Sequence, residues 1–304
     1  MKEYIVRLGQ SNEWRGVLTE PDGDAVNHRG EIVVFLNAGI INRTGPGRIH
    51  VKWARNLAGM GYRCFRFDTR KSAGGWAFKS GPDSWERARA KDVSLFLDAF
   101  ANRFQSKRFI LAGICSGADD AFWTARLDQR ISGVILVNGT FLMQSELKAM
   151  PHKLGTRARM RLYDKRITGR IGRLSSGFNL FQTVYDTVCA AIQMFLSIPK
   201  RGNRDWTSIV TRLKNDLGEI AGRSSGLTLL YSEGSTAWDF YQLEVGRRRL
   251  GEFPLSTRMN MLERMDHAIT PSWGHDWIIK CSRVALAGGS LEKASGLAED
   301  KYIR

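Results

Sequence analysis

Short, strongly apolar runs recur along this chain with helical segments between them, and that alternation restricts it to a mostly parallel sheet with crossover helices. Residues 4–8 and 14–18 read as a hairpin, and 31–37 as a buried strand ended by Gly39. Pro46 then suits the first turn of a helix that carries Ile49, Trp53, Ala54 and Leu57 on one face and stops at Gly59 and Gly61. A strand over 62–67 follows. Residues 82–104 have helical periodicity through Val93, Phe96, Leu97 and Phe100, and lead to a strand over 108–114, a helix over 117–127 and a strand over 131–137.

From about Thr140 to Gly226 the strand rhythm stops. The intervening sequence is basic and helix-forming, with one apolar helical stripe through Phe178, Phe181, Tyr185, Val188 and Phe195. Rhythm resumes with strands over 227–231 and 259–265 and helices over 239–250 and 273–286. The pattern predicts an α/β core made of residues 1–140 and 226–304, with 141–225 inserted as a helical cap.

The strand ending at Ile114 runs directly into Gly113-Ile114-Cys115-Ser116-Gly117, and a helix pattern starts at once. A strand, a sharp turn and a helix around G-x-nucleophile-x-G form an elbow that exposes its central residue, here Cys115. Ser116 lacks a glycine two positions before it, so its backbone N–H is the more useful group, as an oxyanion donor. The N-terminus of the following helix is expected to favour a thiolate at Cys115. Of the five histidines, His267 alone follows immediately on the last predicted strand, where a loop can bring an imidazole over the elbow as general base.

An acid to orient that histidine is expected just beyond the strand over 227–231. Asp239 is the preferred residue, with Glu233 at the strand end and Asp266 beside His267 as alternatives. Gly39, right after the first parallel strand, lets a second backbone N–H, that of Ile40, join Ser116 in an oxyanion hole.

These residues resemble the α/β-hydrolase superfamily over most of the chain, through NAGI, GPGRIHVKWARNLAGMGY, RCFRFD, GICSGA, LTLLYSEG and MDHAIT. Cysteine at the elbow is similar to the cysteine-nucleophile branches, among them dienelactone hydrolases and the thioesterase-like Dieckmann cyclases with a Cys-Asp-His triad. The resemblance implies an eight-stranded sheet with a cap over the site, nucleophile Cys115 and base His267. Relatives aligned around YSEG tend to carry Asp where this chain has Ser235, which makes Asp239 a displaced candidate. RCFRFD is also followed by TRKSAGGW rather than a glycine-rich turn ending in Asp-Ser.

The expected chemistry is cysteine-dependent acyl transfer, cyclisation or hydrolysis on an ester or thioester, without a cofactor. A small-molecule esterase or lactone hydrolase, and a non-catalytic binding protein of the same fold, are the rival readings. The charge adds a partner: 46 Lys and Arg against 30 Asp and Glu give +16, and between Lys148 and Arg173 the cap carries nine cations against Asp164 alone. Such a field suits an acidic acyl carrier protein. Charge alone, without a nucleic-acid motif, does not make a nucleic-acid binder. Cysteines 64, 115, 189 and 281 have neither zinc-site spacing nor disulfide density, so no metal is expected. No run of 18 apolar residues occurs. The reading is therefore a cytoplasmic protein away from membranes.

Overall fold

The computed structural model describes residues 1–10, 12–22, 30–39, 41–68, 85–139, 206–235, 237–238 and 257–291. Its strands are β1 (Lys2–Leu8), β2 (Trp14–Glu20), β3 (Glu31–Leu36), β4 (Arg63–Asp68), β5 (Arg108–Ile114), β6 (Ile131–Val137), β7 (Gly226–Gly234) and β8 (Thr257–Asp266). The helices are α1 (Ile49–Ala58, entered through a 3₁₀ turn at Pro46–Arg48), α2 (Trp85–Phe104), α3 (Ser116–Leu127), α4 (Trp206–Ala221) and α5 (Ser272–Leu286). The strands form one sheet in the order β1-β2-β4-β3-β5-β6-β7-β8. β2 runs antiparallel to β1 and to β4, and every other pairing is parallel.

Successive strand residues point to opposite faces, and the apolar runs are continuous because both faces are covered. Ile32, Val34 and Leu36 of β3, Phe109 and Leu111 of β5, and Leu227, Leu229 and Tyr231 of β7 pack with α2, α3 and α4. Val33 and Phe35, Ile110, Ala112 and Ile114, and Leu230 pack on the other face with α1 and α5. The buried face of α1 includes Ile49, Trp53, Ala54 and Leu57, the four residues its periodicity selects. On the first face Phe67 stacks on Phe96 at 3.7 Å, joining β4 to α2.

The 141–225 stretch contains α4, whose Leu217, Ile220 and Ala221 are buried in the sheet's own core. This helix joins β6 to β7 in the chain and packs against both. The rest of the expected cap, from 141 to 205, lies outside the described residues, as does the helix expected over 239–250. Among the described residues no helix is long and apolar enough to cross a membrane.

Candidate active site

Cys115 lies at the C-terminal end of β5, beside the end of β6. Its backbone sits at φ 54°, ψ −122°, between the end of β5 and the first turn of α3. A non-glycine residue held there costs about 1–3 kcal/mol and persists only where its surroundings enforce it. They do so on both sides. A Cβ on Gly113 would lie 2.3 Å from the carbonyl of Gly117, and one on Gly117 would lie 2.5 Å from Leu36 O and 2.7 Å from Asn37 O. Both glycines are therefore required by the closeness of α3 to β5 and β3. The Cys115 N–H donates to Val137 O at 2.8 Å, which ties the apex to the end of β6.

Ser116 has two roles. Its N–H is directed at the Cys115 thiol, as an anion-stabilising donor should be. Its hydroxyl accepts the Gly39 N–H at 2.6 Å and so fixes the loop after β3 rather than sitting at the apex. That loop is held again by Asn37, which donates to Ile41 O at 3.0 Å, and by Asp68, which accepts the Arg43 N–H at 2.6 Å. Ile40, the other expected oxyanion donor, lies outside the described residues. From α2, Arg89 donates to Ser116 O at 3.1 Å and pairs with Asp120, clamping the start of α3.

His267 lies in the turn after β8, three strands from β5 in the sheet, and Asn138 ties its backbone to the end of β6. The side-chain amide of Asn138, fully buried at the end of β6, donates to His267 O at 2.9 Å and to Ser232 Oγ at 2.8 Å, while its carbonyl accepts the Ser232 N–H at 2.8 Å. Since Val137 holds Cys115 and Asn138 holds His267, the two residues flank the same strand end. No hydrogen bond joins them among the described residues. Behind the turn, His275 of α5 donates from Nε2 to Ile269 O at 2.9 Å while its Nδ1 faces Lys52 Nζ at 3.4 Å. An ammonium donor on one nitrogen and a carbonyl acceptor on the other select the neutral Nε2–H form of His275.

At Nδ1, His267 meets Ser235 Oγ at 2.9 Å. The two alternative carboxylates hydrogen-bond other groups. Glu233 accepts the Arg264 N–H at 2.8 Å, and Asp266 accepts the N–H and hydroxyl of Thr270 at 2.9 and 2.8 Å, closing its own turn. Asp239 lies outside the described residues.

Burial pushes the Cys115 thiol above its ordinary range and the buried Asp119 adds to this, against the Ser116 N–H and Arg89, which favour the thiolate. Burial also pushes His267 below the ordinary histidine range, with Asp266 opposing it. Both shifts favour the uncharged form, thiol at Cys115 and imidazole at His267. Desolvation and Asp119 thus act against the thiolate that a helix N-terminus favours.

Ser235, Asn138, Arg89 and His275 are the residues that sequence reasoning did not select for the site. The one signal for Ser235 is its position in the run after LTLLYSEG, where the resembling proteins tend to carry Asp.

No family model matches the sequence, and no curated protein matches it. Among solved structures the chain is similar to dienelactone hydrolase from Anabaena variabilis, at 11% identity over 95% of this chain and 98% of that one, with a TM-score of 0.54. It is also similar to Est1E from Butyrivibrio proteoclasticus, at 11% identity over 93% and 99% of the two chains, with a TM-score of 0.51. Likeness at such identity is one of fold, and with its eight strands in the order given above the chain has the α/β-hydrolase fold.

Proposed function

We propose that this protein is an enzyme that transfers or hydrolyses the acyl group of an ester or thioester, with Cys115 as nucleophile and His267 as general base. The observation that carries this reading is the backbone of Cys115, held at positive φ by two glycines that leave no room for a Cβ. Strain of this kind at a half-buried thiol serves presentation, not packing. The fold likeness to a dienelactone hydrolase supports an ester as the coarse substrate class.

In the proposed acylation the Cys115 S–H proton passes to His267 Nε2 as Sγ bonds to the carbonyl carbon. Backbone N–H groups of Ser116 and Ile40 receive the oxyanion, and the imidazolium then protonates the departing oxygen or sulfur. The acyl-enzyme is a thioester, which reacts more readily with amines or carbanions than with water. Transfer or cyclisation is therefore favoured over plain hydrolysis. The nine cations between Lys148 and Arg173 support an acidic carrier protein as acyl donor.

The test is turnover of a panel of esters and thioesters by the wild type and by Cys115→Ala. Loss of turnover with an unchanged circular dichroism spectrum is expected. Retained turnover overturns the mechanism.

A further inference from the structure

Resting on the reading of Cys115 and His267 as nucleophile and base, we propose that Ser235 is the positioning residue that orients His267, through a hydroxyl placed where a catalytic triad carries a carboxylate. An imidazole Nδ1 has one hydrogen-bonding site in the ring plane, and Ser235 Oγ fills it at 2.9 Å. The hydroxyl is itself fixed. Ser235 is fully buried, its Oγ accepts the Ala237 N–H at 3.2 Å, and its own N–H donates to Ser232 O at 2.9 Å. Ser232 in turn is held by Asn138, the residue that also holds His267 O. One constellation of β6 and β7 thus sets both the backbone and the ring of the base.

In the proposed arrangement one Oγ lone pair takes the Ala237 N–H and the other takes Nδ1–H, which leaves the Nε2 lone pair free for the Cys115 proton. Among the described residues the charged groups nearest the ring hydrogen-bond or pair with other groups, Asp266 acting on His267 through its charge alone. Glu233 at the end of β7 is on the Arg264 N–H, Asp266 is on Thr270, and Arg89 from α2 pairs with Asp120 beside the buried Asp119. Lys52 and His275 stand behind Ile269.

A hydroxyl orients an imidazole as a carboxylate does, but it brings no negative charge to stabilise the imidazolium. The consequence falls on the second half of the reaction. Water, the weaker nucleophile, needs the stronger base, so the acyl-enzyme resists hydrolysis and passes its acyl group to an amine, thiol or carbon-acid acceptor. In that step the acceptor's proton goes to Nε2, the acceptor bonds to the acyl carbon, the Sγ–C bond breaks, and Cys115 recovers the proton.

The experiment uses the full chain without substrate, with ¹⁵N-histidine labelling and His267→Gln to assign the ring. Wild type is expected to show His267 as the Nδ1–H tautomer. Ser235→Ala, which adds no atoms, should shift it to the Nε2–H form, and Ser235→Thr should restore Nδ1–H. Ser235→Asp should raise the His267 titration midpoint by about 1–3 pH units, the effect of an adjacent opposite charge. An Nε2–H ring in the wild type, or the same tautomer in wild type and Ser235→Ala, overturns the proposal. Because no turnover enters the measurement, a Cys115→Ala protein that stays active sinks the enzymatic reading separately.

Discussion

Replacing His50 with Leu should remove a measurable part of the protein's acid sensitivity. His50 is fully buried in α1, its ring 5.6 Å from Phe35 and 6.5 Å from Trp53, and neither of its nitrogens has a hydrogen-bond partner among the described residues. Burial, with the charge of Arg66 added, pushes it down from 6.5 to about 3. The folded state therefore holds this ring neutral while the unfolded chain protonates it near 6.5. The contribution is whole above that pH and is lost progressively as pH falls from about 6.5 toward about 3. At pH 5 the interval of about 1.5 pH units, at about 1.4 kcal/mol each, costs the folded state about 2 kcal/mol. Urea unfolding at pH 7 and pH 5 measures this, because groups common to both proteins cancel in the difference. His50→Leu should lose about 2 kcal/mol less than wild type between the two pH values. Equal losses would refute the argument that His50 is buried neutral.

Gly117→Ala should destabilise the fold by about 1–3 kcal/mol in urea, because its Cβ meets the Leu36 and Asn37 carbonyls and α3 must withdraw from β3; an unchanged midpoint contradicts the close approach. The acidic limb of kcat/KM should lie below the ordinary histidine range, since His267 is held neutral by burial and must lose no proton to act as base, and a limb at or above pH 6.5 contradicts this. Replacing Arg157, Arg159 and Arg161 with Glu should raise KM for a carrier-bound acyl thioester and spare a small soluble one, with the wild-type preference fading as salt rises and the Debye length falls from about 10 Å at 0.1 M to about 3 Å at 1 M. Equal responses from the two substrates would remove the carrier from the account.

The sheet was legible in the sequence because parallel strands buried on both faces read as unbroken apolar runs. β5 and β6 have the same limits in sequence and structure, and the glycines around Cys115 marked the elbow. Contacts distant in sequence were not legible. Ser235 reaches His267 across 32 positions and Asn138 reaches it across 129, and neither residue type announces such a role. Asn138 reads locally as the polar residue that ends a strand. The opposing effect on the thiol was hidden for a related reason: a helix N-terminus can be read from sequence, whereas the burial of Cys115 beside Asp119 depends on how α2, α3 and β5 pack. For α4, a basic surrounding sequence concealed a helix whose last turn belongs to the core.

The central claim is that Cys115 carries the acyl group, and intact-mass measurement after brief incubation with ester and thioester substrates tests it most directly. The account predicts one added acyl mass, mapped by peptide digestion to Cys115, absent from Cys115→Ala and long-lived in water relative to its decay on adding an amine or thiol acceptor. Turnover without any adduct in the wild type, or an adduct that persists in Cys115→Ala, would contradict it.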